Sequence, residues 1–217
     1  MFYMEILENF IVFEGCDGSG TTTQLNTLED FFHHHREKLE LPSFYKTNEP
    51  TNSSIGKIIR GFLRKEFDFL PETVAMLFAA DRNEHAYGNG GIAECCSRGE
   101  LVVCDRYVLS SLVYQGLVCG DEVPRRLNAG FPLPQMLLFF DIDSETAQQR
   151  MHGRDMKEVY EYLDFQIKVR ERYKSLLPEL AGAGVIVETI DASASSQDVA
   201  RQVRQIIQKL PRLASLK

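Results

Sequence analysis

The sequence has no excess of positive charge: 24 Lys and Arg face 31 Asp and Glu across 217 residues, a formal net charge of −7. A nucleic acid or an anionic membrane calls for a basic surface, so neither is an expected partner. A nucleotide pocket can still be locally basic inside an acidic protein, and phosphorylated small molecules stay open. Cysteine is sparse. Cys16, Cys95, Cys96, Cys104 and Cys119 are odd in number and lack CxxC spacing, which argues against a disulfide framework or a zinc site and for a reducing cytoplasm. No apolar run approaches the roughly 20 residues needed to span a bilayer. The opening MFYMEILENFIVFEG has no basic n-region and runs into a glycine-rich turn, so a first strand is expected there, not a signal peptide.

What is present suits one α/β domain over residues 1–217, without repeats or a low-complexity linker. Hydrophobic residues make up 44% of the chain, enough for a proper core. Short apolar runs alternate with longer stretches of helical period, the pattern of a parallel sheet covered by helices. Strands are expected at Phe10–Phe13, Phe44–Thr47, Leu101–Cys104, Met136–Asp141 and Val185–Ile190. Helices are expected at about Thr21–Lys38, Ile55–Lys65, Glu72–Cys96, Val108–Leu117, Glu158–Leu180 and Ser195–Leu210, with a short one from Thr146 to Arg150 that breaks near Gly153. The triplet His33–His35 invites a metal reading. Helical metal pairs need i,i+3 or i,i+4 spacing, so a solvated helix end is the simpler account.

After the first strand comes Gly15-Cys16-Asp17-Gly18-Ser19-Gly20-Thr21-Thr22-Thr23. It matches the phosphate-loop pattern GxxxxGK[ST] everywhere except at the lysine, where Thr21 stands. The glycines let successive N–H groups converge on an anion at the positive end of the following helix, and Thr22 occupies the hydroxyl position that holds Mg²⁺. A glycine-rich turn without a ligand is the alternative. Losing one charge-stabilising group in phosphoryl transfer typically costs ~10²–10³ in rate. Another cation in the same volume would recover that loss.

Several segments in order resemble the bacterial thymidylate kinases, P-loop nucleoside-monophosphate kinases: FEGCDGSGTTTQ, Asn48-Glu49-Pro50 with IGKIIR, LFAADRNEH, DRYVLSSLVYQG, PQMLLFFDID and the late IDAS. The resemblance covers most of the chain. It implies a P-loop NTPase fold with a five-stranded parallel sheet flanked by helices and a short lid at about residues 150–158. ATP would bind the loop from Gly15 to Thr23, with Mg²⁺ held by Thr22 and Asp105. Phe78 would stack on thymine, and Arg82 would reach a base carbonyl. Arg106 and Arg60 would grip the acceptor phosphate, Ser111 and Gln115 would line the thymine edge, and Tyr114 would crowd the sugar 2′ position. Asp17 would accept from the 3′-hydroxyl, and Glu49-Pro50, often cis in the family, would shape the acceptor pocket. Family members are usually homodimers.

Asp105 and Arg106 end the strand LVVC at the carboxyl edge, where open α/β sheets bind ligands. A strand-end salt bridge is the alternative there. Ser111, Tyr114 and Gln115 lie at i, i+3 and i+4 and can face one ligand.

The chain departs from the family pattern at Thr21, at Asn48 in place of the usual arginine, at Thr51–Ser54 in place of a glycine pair, and in its shorter lid, with Val159 where an arginine is common. Arg150, Arg154 or Lys157 are the candidates to supply the missing charge, with an exposed basic turn as the alternative. The expected activity is transfer of the γ-phosphate of ATP to dTMP, giving dTDP, with Asp105, Arg106, Arg150 and Arg154 as the catalytic set. A nucleotide-binding protein without catalysis and a deoxynucleoside kinase are the rival readings.

Overall fold

The computed structural model describes residues 5–151, 159–160 and 162–213. Its strands are β1 (Ile6–Gly15), β2 (Phe44–Asn48), β3 (Leu101–Asp105), β4 (Leu133–Asp141) and β5 (Ile186–Asp191). They form one parallel sheet in the order β2-β3-β1-β4-β5. Around it lie α1 (Thr21–Leu39), α2 (Ser54–Leu63), α3 (Pro71–Tyr87), α4 (Ile92–Ser97), α5 (Val108–Cys119), α6 (Glu122–Asn128), α7 (Ser144–Met151), α8 (Leu163–Gly182) and α9 (Ser196–Ile207). Among the described residues, no helix is long and apolar enough to cross a membrane.

The apolar run FIVF explains why β1 sits in the middle of the sheet. Successive side chains of a strand point to opposite faces, so both faces of a central parallel strand must be apolar. Ile11 and Phe13 pack with Leu25, Leu28 and Phe32 of α1 and Val199 and Val203 of α9. Phe10 and Val12 face Ala79, Ala86, Ile92 and Val108 on the other side. A second group there joins Leu109 and Val113 to Val169, Tyr173 and Leu176 of α8.

The chain reaches β3 on one side of β1 and then crosses to β4 on the other. Where neighbouring connections leave a parallel sheet in opposite directions, a crevice opens at the carboxyl ends of the strands. Gly15 and Asp105, the last residues of β1 and β3, border that crevice.

The expected strands all form, each within a few residues of its anticipated limits. The single helix expected over 72–96 is instead two, α3 and α4, parted at Gly88-Asn89-Gly90-Gly91 where Gly90 takes a φ of 70°. A further short helix, α6, was not anticipated. The long helix starts at Leu163, and the last ends at Ile207. His34 and His35 sit on α1 with their Nδ1 atoms hydrogen-bonded to the carbonyls of Asp30 and Phe31, at 2.6 and 2.9 Å.

Candidate active site

The turn after β1 curls tightly because two of its glycines adopt left-handed backbone. Gly18 has a φ of 83°, and a Cβ there would lie 2.4 Å from the carbonyl oxygen of Ala147 in α7. Gly20 has a φ of 90° and leads into α1, whose first turn carries no acidic residue. No acid of α1 itself therefore offsets the free N–H groups and the positive end of the helix macrodipole that face the turn. Residues 16–24 line a cavity of about 710 Å³ that Ala192–Ser196, Arg150 and Arg106 complete. Thr21 is buried. Among the described residues, Arg106 and Arg150 are the cations lining this cavity. The Arg150 guanidinium donates to the carbonyls of Ala192 and Ser193 at 2.8 and 3.3 Å, so it rests on the loop between β5 and α9. Arg154 and Lys157, and most of the expected lid, lie outside the described residues.

A second cavity of about 840 Å³ opens beside the first. Its walls contain most of the acceptor residues expected from sequence: Glu49, Arg60, Phe78 and Arg82, with Ser111, Tyr114 and Gln115 on α5. The Glu49–Pro50 peptide bond is cis. Arg60 donates to the carbonyl of Pro50, which also accepts from the Asn48 amide at 2.8 Å. Arg82 is 1% exposed. Its guanidinium lies 2.6 Å from the Glu49 carboxylate, 3.1 Å from Ser111 Oγ and against the Asn128 amide oxygen. His85 Nδ1 meets the other oxygen of Glu49 at 3.0 Å, while its Nε2 is 2.6 Å from Thr47 Oγ. The loop Thr51–Ser53 is fastened to the buried Asp81 carboxylate by Thr51 N, Thr51 Oγ and Ser53 Oγ. Arg60 Nε, Arg82 Nε, Asp105 Oδ1, Tyr107 Oη and Gln115 Oε1 are buried without a partner among the described residues, and all five belong to residues lining this cavity. Buried polar atoms left unpaired are costly, so five of them in the walls of one hollow point to a polar ligand.

Asp17, Thr22, Asp105 and Arg106 line both cavities. Thr22 Oγ donates to Asp105 Oδ2 at 2.5 Å, and Asp105 Oδ1 has no partner among the described residues. Arg106 does not pair with its neighbour Asp105: its Nη2 meets Asp17 Oδ1 at 2.6 Å, across the crevice. Its backbone φ of 68° is unusual for a residue with a side chain, a strain that surrounding structure must hold in place. Phe13 O accepts the Arg106 N–H at 2.9 Å, and Nη1 lies within 3.4 Å of the hydroxyls of Ser110, Tyr114 and Tyr173. Behind them sits Glu14, fully buried, accepting from the N–H groups of Tyr107 and Ser110 and the hydroxyls of Ser110 and Tyr173. Burial pushes the Glu14 carboxyl up, and Ser110, Arg106, Tyr173 and the Tyr107 N–H pull against it.

Glu14, Asp81, His85, Asn128, Gln166 and Tyr173 were not anticipated. His85 could have been, since it follows Arg82 by three residues on the same helix face. The others act through partners distant in sequence. Asn128 comes from α6, and Gln166 and Tyr173 come from α8.

The thymidylate kinase family model matches residues 13–205. A putative thymidylate kinase of Treponema pallidum is 44% identical over 174 residues, covering 80% of this chain and 81% of its own. A probable thymidylate kinase of Pyrobaculum aerophilum is 36% identical over 204 residues, 94% and 98% of the two chains. A thymidylate kinase of Caldicellulosiruptor saccharolyticus is 36% identical over 211 residues, 93% and 96% of the two. With a phosphate loop at the end of β1, an Asp-Arg pair at the end of β3 and this match across nearly all of its length, the chain belongs to the thymidylate kinase family.

Proposed function

We propose that the protein transfers the γ-phosphate of ATP to dTMP, giving dTDP and ADP, with ATP in the phosphate-loop cavity and dTMP in the cavity beside it. One observation carries this reading: the two hollows share Asp17, Thr22, Asp105 and Arg106 along a common edge. Phosphoryl transfer demands little covalent help from a protein, which must mainly align the attacking and leaving oxygens and neutralise charge. Two anion-binding hollows meeting at an arginine fit that demand. The acceptor phosphate oxygen is already ionised near neutral pH, so no base is needed to activate it.

Thr22 and Asp105 are the residues that would hold Mg²⁺. The unpartnered Asp105 Oδ1 beside a threonine hydroxyl suits a hard cation that takes one or two protein oxygens. Bound there, the ion neutralises charge on the donor phosphates. Phe78 supplies a ring for the thymine, and Arg82, Ser111 and Gln115 supply polar groups for its edge. Arg60 and Arg106 take the acceptor phosphate, Tyr114 fills the space beside the sugar, and Asp17 accepts from the 3′-hydroxyl. One of Arg150, Arg154 and Lys157 supplies the donor-side charge that Thr21 lacks. A cytoplasmic setting and a homodimer complete the proposal.

A deoxynucleoside kinase would need a free base beside the acceptor hydroxyl. Of the carboxylates lining the acceptor cavity, Asp17 is paired with Arg106 and Glu49 with Arg82 and His85, while Asp105 accepts from Thr22 through one oxygen and keeps the other for the cation. A coupled assay for ADP with dTMP and with thymidine as acceptors tests the reading. Turnover with dTMP and not with thymidine is the expected result. Turnover with thymidine alone would overturn it, as would tight binding of both nucleotides without ADP formation.

A further inference from the structure

Gln166 lies in the first turn of α8 and is 3% exposed. Its amide is fully used. Oε1 accepts the backbone N–H of Asp17 at 3.2 Å. Nε2 donates to Asp17 Oδ2 at 2.8 Å and to the carbonyl of Tyr160 at 2.7 Å. A carboxamide offers both an acceptor and two donor hydrogens, and this arrangement consumes all of them in one orientation. Glutamate of the same length would set a carboxylate against the Asp17 carboxylate and the Tyr160 carbonyl, three acceptors with no proton between them.

The partners matter more than the bonds. Asp17 is one of the residues on the shared edge, and its other oxygen holds Arg106 at 2.6 Å. Tyr160 belongs to the wall of the acceptor cavity, its ring 5.6 Å from that of Tyr114 and 5.2 Å from that of Phe165. One side chain from a distant helix therefore clamps the phosphate loop from one side and the acceptor wall from the other.

We propose that Gln166 is a positioning residue for phosphoryl transfer: by holding both the main chain and the carboxylate of Asp17, and with them Tyr160, it sets the Asp17–Arg106 pair in register with the two cavities. The inference rests on reading the site as a thymidylate kinase. Without the clamp, Asp17 can swing with Arg106 and the acceptor loses its alignment, while the rest of the glycine turn keeps its hold on the donor through Gly18 packed on the Ala147 carbonyl and the first turn of α1. Misplacement of a positioned group by a fraction of an ångström is enough to slow transfer.

The test compares wild type with Gln166→Glu and Gln166→Leu, using initial rates with thymidylate and Mg·ATP and thermal unfolding, between about pH 6 and pH 8.5. The groups facing the substituted side chain are the Asp17 carboxylate with Arg106 beyond it, the Cys16 thiol 3.9 Å from the Gln166 carbonyl, and Tyr160. Burial and Asp17 push the Cys16 thiol up to about 12, and burial pushes the Tyr160 hydroxyl up to about 12, so both stay neutral throughout. Arg170, on the same helix, is paired with Asp141 and stays charged. At the alkaline end both variants should lose roughly tenfold or more in kcat/KM for thymidylate, with KM for ATP within about twofold of wild type.

Burial and the Asp17 charge raise the pKa of the introduced Glu above its unfolded value. Its protonated form donates to Asp17, so stability and rate are retained at low pH and lost as pH rises. The rate and unfolding temperature of Gln166→Glu, each relative to wild type, should therefore climb on acidification, while those of Gln166→Leu stay level. Wild-type kinetics in both variants, or a Gln166→Glu deficit as independent of pH as that of Gln166→Leu, would overturn the proposal. Unfolding needs no turnover. A wild type that fails to phosphorylate thymidylate would refute the functional reading, while the pH response of the unfolding temperature still judges the clamp.

Discussion

Arg82 shows how far a single residue can be read from sequence. An arginine in the apolar helix MLFAADR needs a polar partner, and that much follows from its neighbours. The partners do not: Glu49 lies 33 residues before it and Asn128 lies 46 after it. The ion pair it makes is almost completely buried, at 1% and 3% side-chain exposure. Removing one partner of such a pair leaves an uncompensated charge and typically costs about 3–5 kcal/mol. Glu49→Gln should thus lower unfolding free energy by about that amount in urea titrations. A loss below about 1 kcal/mol would mean the pair is solvated in a way the structure does not show.

Thr21 poses the opposite problem, since the gap was plain in the sequence and its remedy was not. Arg150 lines the donor cavity but donates to Ala192 and Ser193, so it reaches the loop after β5 and not the crest of the turn. Thr21→Lys should raise turnover, by up to roughly 10²–10³ if no other cation substitutes fully. Arg154→Ala in the native background should lower it. A faster Thr21→Lys together with an unaffected Arg154→Ala would dismiss the lid as the source of the charge.

At the scale of elements, the sheet was legible because fully buried parallel strands leave a strong trace. FIVF, LVVC and MLLFFD are continuous apolar runs with a turn residue or an acid at the end. Helix limits left a weaker one. Gly88-Asn89-Gly90-Gly91 divides α3 from α4, and its glycines were the available signal for that break. Helix α6 is seven residues with a proline inside, EVPRRLN, too short to show a period. That omission hid Asn128 as well.

The phosphate loop depends on a contact between elements. Its Gly18 abuts the carbonyl of Ala147 in α7, with no room for a methyl group and a φ of 83° that disfavours one. Gly18→Ala should therefore raise KM for ATP roughly tenfold or more while KM for thymidylate changes little. Equal effects on both substrates would show that the loop does not act on the donor alone.

For the whole molecule, the acidic balance and the acceptor hollow are compatible because the lining of that hollow does not share the overall excess of acid: Lys46, Arg60, Arg82 and Arg106 stand there against Asp17, Glu49 and Asp105. Outside it, the surface retains exposed apolar side chains on neighbouring elements: Ile58 of α2, Leu70 at the start of α3 and Met76 within it, the last two at 71% and 53% exposure. The homodimer proposed above would cover such a face. Light scattering should give twice the chain mass at micromolar concentration, and Leu70→Glu combined with Met76→Glu should return the single-chain mass. A wild type of single-chain mass would remove the dimer from the proposal without touching the site.

Donor and acceptor hollows adjoin at Asp17, Thr22, Asp105 and Arg106. The most direct measurement is calorimetric titration with one molecule that joins adenosine to thymidine through a chain of phosphates. A single ligand per chain that displaces both ATP and dTMP is the expected result. Two ligands per chain, or displacement of one nucleotide with the other unaffected, would contradict it.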